Sequence, residues 1–354
     1  MIQRLVTLLC IPSIWANAQV SPEILPDGRV TFRCRAAKAE NVSARGQFGP
    51  PVTLEKGPDG IWVGTTDEPV KPGVFEYRLK IDDLVTLDSR NPAIKPQRWP
   101  GMSILHVPSD PPTHWDIQDI PAGTLHTHTY HSKALDRWRE LVVYTPPGSN
   151  HEDLPVLYLS HGYSDNQRTW TEHGKAHRIL DSLIHLGKTK PMVVIMPDAH
   201  ATEPVTRTKP YWPKNTRAFC DELLEDVIPL VEKNYNVATT PANRAFAGLS
   251  MGGRHALVLA LEHSEYFSQI GAFSAAAPEF DDHKPEAAEP INERLSLFWI
   301  ACGDKDFLFE RNQAFTSQLK KHKVKHEYLI TPGDGHSWPV WRNYLIEFVP
   351  RLFQ

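Results

Sequence analysis

A lone serine lies between glycines in the pentapeptide GLSMG at residues 248–252. The pattern Gly-x-Ser-x-Gly is typical of a sharp turn from a strand into a helix, where small flanking residues avoid clashes and the hydroxyl stays accessible. The apolar residues 245–247 before the turn and residues 254–261 after it fit such a strand and helix. The pattern therefore predicts that Ser250 is a nucleophile for acyl transfer.

A serine nucleophile needs a general base and a carboxylate that orients the base. In chains with this turn, the acid and then the histidine follow the serine, each after a later strand. His336 lies in a glycine-rich turn after the apolar residues 328–330 and is the predicted base. Asp304 and Asp306 both follow the apolar residues 297–301, and their spacing alone does not choose the acid.

Acyl transfer also needs hydrogen-bond donors for the negatively charged oxygen of the tetrahedral intermediate. The main-chain amide of Met251, directly after the serine, is the first predicted donor. The second comes from the loop after the apolar residues 156–159, where the amide of Tyr163 or Gly162 would serve. His161 in the same loop is predicted to support it rather than to take part in the chemistry.

Short apolar runs and helical patterns alternate in the second part of the chain. The runs are typical of strands buried on both faces and cover residues 141–144, 156–159, 192–196, 245–247, 270–273 and 297–300. Residues 176–184 and 223–231 carry apolar side chains at helical spacing. This alternation predicts an α/β fold with a mostly parallel sheet and helices on both faces.

Residues 21–107 have a different pattern, with short strand-like runs separated by turn residues. Residues 75–81 alternate apolar with charged side chains, which predicts a strand with one buried face. About seven such runs predict a small antiparallel β-sandwich. Five prolines between residues 100 and 121 indicate a stiff linker. We predict a sandwich domain over 19–110, a linker over 111–122 and a catalytic domain over 123–354.

The net charge of the chain and the composition of its first 18 residues indicate which partners and which cellular location to expect. The chain carries 38 lysines and arginines against 42 aspartates and glutamates. Without a basic excess, neither a nucleic acid nor an anionic membrane is an expected partner. Arg4, the apolar run 5–11 and small residues up to Ala18 predict a signal peptide over residues 1–18 that is cleaved after Ala18. A secreted or periplasmic protein is expected.

Cysteines and histidines indicate neither a disulfide framework nor a metal site. Without Cys10 in the signal peptide, three of the four cysteines remain. Cys220 and Cys302 are either a disulfide pair or two buried thiols. A histidine cluster at residues 126–131 has no carboxylate or cysteine at metal-site spacing, and no metal is predicted.

The chain from about residue 124 to its end resembles the feruloyl and acetyl-xylan esterases of carbohydrate esterase family 1, also called the esterase D group. The matching segments are VYTPPG at 143–148, LYLSHG at 157–162, GKA at 174–176, PMVVIMP at 191–197, AGLSMGG at 247–253 and GHSW at 335–338. The resemblance implies an α/β-hydrolase fold, a Ser-His-Asp triad and no cofactor. It favours Asp306 over Asp304, because related hydrolases carry the acid last in a Gly-x-x-Asp turn. Phe307 and Leu308 are expected to pack against Asp306.

The first domain resembles an immunoglobulin-like module akin to carbohydrate-binding module family 48. The whole therefore resembles a secreted serine esterase that removes feruloyl or acetyl groups from a polysaccharide or a small ester. Aromatic side chains of the loops are candidates for stacking on a phenyl or sugar ring, and the candidates are Tyr163, Trp170, Tyr211, Trp212 and Trp338. His161 and Asp198 are further candidates, and Asp198 lies where the family usually has asparagine.

Two alternative functions remain open. One is a different acyl-ester enzyme on the same scaffold, either a siderophore-lactone esterase or an acyltransferase. The other is a glycan-binding protein whose hydrolase domain is inactive. The complete set of Ser250, His336 and Asp306 argues against the inactive protein.

Overall fold

The computed structural model describes residues 20–148, 152–202 and 211–354, and the chain divides into two compact units. The first comprises residues 20–71, 75–94 and 102–107, and the second comprises 72–74, 95–101 and the chain from 108 onward. The second unit thus includes segments that the predicted boundaries assign to the sandwich and the linker. The predicted signal peptide lies outside the described residues. Among the described helices, none is both long and apolar enough to cross a membrane.

The first unit is built on antiparallel strands. Its strands are β1 (Glu23–Ile24), β2 (Val30–Arg35), β3 (Val42–Gly46), β4 (Val52–Lys56), β5 (Ile61–Thr65), β6 (Gly73–Ile81), β7 (Leu84–Thr86) and β8 (Ser103–Val107). They follow one hydrogen-bonded path in the order β1-β2-β5-β4-β3-β6-β7, with β8 beside β6. Tyr77 and Leu79 are buried while Arg78 between them is exposed, as the alternation predicts. The antiparallel first domain is confirmed, with one continuous path of strands.

The second unit is built on an eight-stranded sheet. Its strands are β9 (Thr124–Ser132), β10 (Arg137–Thr145), β11 (Val156–Ser160), β12 (Val193–Pro197), β13 (Arg244–Leu249), β14 (Gln269–Phe273), β15 (Leu297–Gly303) and β16 (Glu327–Thr331). Their order is β16-β15-β14-β13-β11-β12-β10-β9. Neighbouring strands are parallel along the sheet from β16 through β11 to β12. Strand β10 runs antiparallel to both β12 and β9. The predicted mostly parallel sheet is confirmed.

Helices cover both faces of this sheet. They are α1 (Thr169–Glu172), α2 (Ala176–His185), α3 (Tyr211–Glu222), α4 (Ile228–Asn234), α5 (Met251–Glu262), α6 (Glu289–Arg294), α7 (Phe309–Lys321) and α8 (Trp338–Phe348), and a π-helical turn at Leu223–Val227 joins α3 to α4. Successive residues of β11 pack into different cores. Tyr158 contributes to the core with α3, α5 and α7, and Leu157 to the core with α2 and α8. A strand with two buried faces explains the unbroken apolar runs.

Both candidate disulfide cysteines are thiols. Cys220 and Cys302 are buried and unpaired, as is Cys34. Burial raises the pKa of Cys302 to about 12, with a further contribution from the nearby charge of Asp306. These thiols are therefore protonated and behave as small apolar side chains.

Ser250 lies in the turn between β13 and α5. Its backbone adopts φ 53° and ψ −106°, a conformation that a residue with a side chain rarely takes. The turn is held by three main-chain hydrogen bonds: Ser250 N–H donates to Phe273 O over 2.8 Å, Ala276 N–H to Ser250 O over 2.8 Å, and Gly252 N–H to His161 O over 3.1 Å. The predicted strand-turn-helix is thus present, with the serine at its apex.

The turn has no room for a side chain at Gly248. A Cβ there would lie 2.5 Å from the carbonyl carbon of Gly252, whereas at Gly101 the nearest atom would be a carbonyl oxygen at 3.8 Å. We expect Gly248→Ala to cost about 2 kcal/mol or more and to lower the melting temperature by about 5 °C or more. Gly101→Ala is the matched control. Thermal unfolding of both variants checks this, and equal melting temperatures would contradict the tight packing.

Candidate active site

Ser250, His336 and Asp306 form a hydrogen-bonded chain at the carboxyl edge of the sheet. Ser250 Oγ lies 3.1 Å from His336 Nε2. On the other side of the ring, His336 Nδ1 lies 2.8 Å and 3.1 Å from the two carboxylate oxygens of Asp306. These are the distances and the order in which a carboxylate orients an imidazole that accepts a proton from a hydroxyl. The three loops that follow β13, β15 and β16 each supply one of these side chains.

The carboxylate of Asp306 is fully buried, whereas the ring of His336 is 17% exposed. Burial acts to raise the pKa of Asp306, but the hydrogen bond and the charge of His336 lower it more, so the net shift is downward. The N–H of Leu308 also donates to Asp306 Oδ1 over 2.8 Å. Asp306 is therefore an ionised, immobilised partner for the ring.

Asp304, the other candidate acid, has a different contact. Its Oδ1 accepts the N–H of Gly333 over 2.8 Å, which ties the loop after β15 to the loop after β16. The same two loops touch at Gly303, where a Cβ would lie 2.1 Å from the carbonyl oxygen of Asp334. Only glycine permits this approach, which keeps the Asp306 loop against the His336 loop.

The predicted oxyanion donors lie around Ser250. Met251 is the first residue of α5, where main-chain N–H groups point toward negative charge. Gly162 lies close to the serine, because a Cβ on it would be 3.6 Å from Ser250 Cβ. Tyr163 follows in the same loop and is half-buried. Met251 and the loop after β11 thus flank the hydroxyl.

His161 braces the loop after β11. Its ring is buried, with Nδ1 2.8 Å from Gly162 O and Nε2 2.8 Å from Ala199 N. With the proton on Nδ1, the ring donates to the first group and accepts from the second. Both nitrogens are thereby bound to the main chain, and Nε2 also lies 3.2 Å from Asp198 Oδ1, which fits a supporting role for His161.

Three side chains here have the spacing of a metal site. Ligand atoms of His161, Asp198 and His200 lie within 4.8 Å of one another. However, His161 Nε2 accepts the Ala199 N–H, and the guanidinium of Arg139 lies 3.3 Å from Asp198 Oδ2. A metal cation bound to Asp198 would be repelled by the positive charge of Arg139. These side chains are therefore better suited to hydrogen bonding than to metal binding.

The predicted aromatic candidates divide into two groups. Tyr163 packs against Trp212, with 5.4 Å between ring centroids, and edge-on against Tyr211 at 5.6 Å. Trp212 is half-buried. Trp170 and Trp338 are instead core residues, 1% and 2% exposed, that pack edge-on against each other. Since neither presents a ring face to solvent, their prediction as stacking residues is wrong.

One prediction about the site is wrong, and one feature of the site was not predicted. Phe307 does not pack under Asp306, because it is 76% exposed and its ring lies 4.5 Å from that of His336. Arg139 in β10 forms a buried two-pronged ion pair with Glu222, at 2.8 Å and 3.1 Å, and also contacts Asp198. Arg139 lies in the charged first half of β10, with Arg137 and Glu140, so the sequence pattern does not single it out.

Comparisons with known proteins identify the family of this chain. The family model described as "Putative esterase" matches residues 132–352. The endo-1,4-beta-xylanase/feruloyl esterase of Xylanibacter ruminicola is 30% identical over 348 residues, which are 95% of this chain and 46% of the relative. The chain therefore spans about half the length of this curated relative.

Solved structures of esterases are similar to this chain. The CE1 ferulic acid esterase from the anaerobic fungi Anaeromyces mucronatus superposes with a TM-score of 0.58 at 25% identity, covering 67% of this chain and 93% of that one. The enterobactin esterase from Shigella flexneri gives a TM-score of 0.65 at 20% identity, covering 92% and 93%. At that identity the second likeness concerns the fold alone. Because the family model matches well over half of the chain, we conclude that this protein belongs to the esterase family and has the α/β-hydrolase fold.

Proposed function

We propose that the protein hydrolyses carboxylic esters through an acyl-enzyme on Ser250. The observation that carries the proposal is the chain of contacts from Ser250 Oγ through His336 to the buried carboxylate of Asp306. A hydroxyl becomes a useful nucleophile only when a base removes its proton during attack. His336 Nε2 is within reach of that proton, and Asp306 stabilises the imidazolium that results.

The remaining steps use the same groups. Attack of Ser250 Oγ on the ester carbonyl forms a tetrahedral oxyanion, which the amides of Met251 and of Gly162 or Tyr163 stabilise. His336 then returns the proton to the leaving alcohol as the C–O bond breaks. A water molecule, deprotonated by His336, attacks the acyl-enzyme and releases the acid with Ser250 restored. No cofactor takes part.

The substrate class that we infer is a hydroxycinnamoyl ester of a polysaccharide, such as a feruloyl ester. The names of the Xylanibacter and Anaeromyces relatives support it. Exposed Phe307 beside His336, and the Tyr163 and Trp212 rings beside the loop after β11, offer apolar faces to a phenyl ring. An acetyl group would leave these faces unused. Such a substrate lies outside the cell, in line with the leader-like residues 1–18.

Ser250→Ala should abolish both hydrolysis and labelling. Without the hydroxyl no acyl-enzyme forms, so kcat should fall by at least about 10⁴-fold. A fluorophosphonate probe should modify the native protein at one serine and leave the variant unmodified, as read by intact-protein mass spectrometry. Ser317→Ala, an exposed serine on α7, is the control and should label normally. Full labelling of Ser250→Ala would exclude Ser250 as the nucleophile.

Asp306→Asn and Asp304→Asn form a matched pair for the orienting acid. Asp306→Asn replaces the carboxylate that faces His336 with a neutral amide, and kcat should fall by about 10²- to 10⁴-fold. Asp304→Asn keeps an oxygen for the Gly333 N–H and should cost less than about tenfold. Steady-state kinetics on a small ester would decide. A larger loss at Asp304, or at Asp334 next to the histidine turn, would show that the acid is misassigned.

A panel of esters tests the substrate class. We expect kcat/KM to be about tenfold higher for methyl ferulate than for an acetylated xylose, since burial and stacking of an aromatic acyl group contribute about 1 kcal/mol or more. Phe307→Ala should reduce this ratio while leaving acetate release nearly unchanged. A catecholate siderophore lactone is the third substrate. A higher kcat/KM for the siderophore lactone would favour a siderophore esterase. Equal kcat/KM for the feruloyl and acetyl esters would contradict the expected preference for an aromatic acyl group.

A further inference from the structure

Lys95 is a buried lysine in the segment 95–101, which belongs to the second unit. Its side chain is 5% exposed, and its Nζ lies 3.2 Å from Oδ1 of Asp165, whose side chain is 3% exposed. Burying two charges costs free energy even when they are paired. Neither residue takes part in the acyl-transfer steps above.

Asp165 closes the loop that carries the second proposed oxyanion donor. Its N–H donates to Gly162 O over 3.2 Å. Its Oδ2 lies 3.6 Å from the position that a Cβ on Gly162 would occupy. The carboxylate therefore lies against the turn that presents the amides of Gly162 and Tyr163.

The main chain beside Lys95 holds the same loop. Gln97 forms an isolated antiparallel bridge with Asp165. The N–H of Arg98 donates to Ser164 O over 3.0 Å. Residues 95–98 thus contact the loop both through main-chain hydrogen bonds and through one buried ion pair.

Lys95 also reaches the helix that follows His336. Its Nζ lies 5.8 Å from the ring centroid of Trp338, at cation–π distance. Trp338 packs edge-on against Trp341 at 5.5 Å, and Trp341 packs edge-on against the ring of His336 at 4.8 Å. One ammonium group therefore contacts both the oxyanion side and the histidine side of the site.

We propose that Lys95 is a positioning residue: held between Asp165 and Trp338, it fixes the loop of residues 161–165 relative to His336, so that the loop's amide faces the developing oxyanion. The proposal rests on the proposed esterase function and adds to it a residue far from Ser250 in sequence. It also gives the core residue Trp338 a role in place of substrate stacking.

Loss of the ammonium would remove the positive charge that lies 3.2 Å from the buried carboxylate of Asp165. Such a carboxylate takes up a proton or moves toward water, and the loop would rearrange with it. A misplacement of about 1 Å can cost about 10²-fold in rate, and a lost oxyanion donor costs about 10²- to 10³-fold. Because these donors act mainly on the transition state, the loss should appear in kcat rather than in KM.

The test compares Lys95→Met with Lys95→Arg in the full chain, on whichever ester of the panel above the native protein hydrolyses fastest. Lys95→Met keeps the apolar stem, and we expect kcat to fall about 30- to 100-fold with KM within about threefold. Lys95→Arg keeps the cation and should retain kcat within about fivefold. Lys133→Met removes an exposed lysine of the same unit and is the matched control. Titration with a phosphonate counts active sites, so that unfolded protein is not scored as slow.

A double variant separates positioning from stability. Lys95→Met with Asp165→Asn removes both charges of the pair, so the melting temperature should recover toward the native value while kcat stays low. Recovery of kcat together with the melting temperature would overturn the proposal, as would a Lys95→Met variant with kcat within about threefold of native. A native protein that cleaves none of the esters in the panel would instead overturn the proposed function, and this proposal with it.

Discussion

The backbone of Ser250 is the constraint on which the rest of the site depends. A serine with φ 53° costs about 1–3 kcal/mol, and the surrounding structure must hold it there. The hydrogen bonds that do so come from the ends of β11 and β14 and from the residues just after β14. The same strand ends begin the loops that complete the site. The strained conformation of Ser250 therefore depends on the neighbouring strands, which hold it at the start of α5.

Each buried carboxylate around this turn faces a basic side chain. Asp306 faces His336, Lys95 faces Asp165, and Arg139 faces Glu222. Each pair joins elements that are distant in the chain, where an apolar contact would allow sliding and an unpaired charge would be expelled. Pairing therefore fixes the relative positions of loops that the sheet alone would leave adjustable. The first pair bears on the reacting atoms, and the other two bear on the loops around them.

The sequence predicts the sheet and the nucleophile well, because both depend on local patterns. Strands buried on two faces appear as apolar runs, and the turn at Ser250 needs small residues at fixed offsets. Trp170, Trp338 and Phe307 were mispredicted because they lie in the one-turn helix α1, at the start of α8 and just before α7, where too few residues repeat to separate core from surface. Lys95 gave no signal, since its partner lies in another loop and a lone lysine is normally solvated. Long-range pairing of this kind emerges only from the fold.

The path of the chain has a consequence for how such proteins can be recombined. Residues 95–101 belong to the catalytic unit, although residues on both sides of them belong to the first unit. A crossover in the proline-rich stretch near residue 110 would therefore transfer a hydrolase without these residues. The resulting chimaera would combine residues 95–101 of one parent with residue 165 of the other. The two units are therefore expected to be inherited together, and exchange between homologues should succeed only when the donor supplies both pieces.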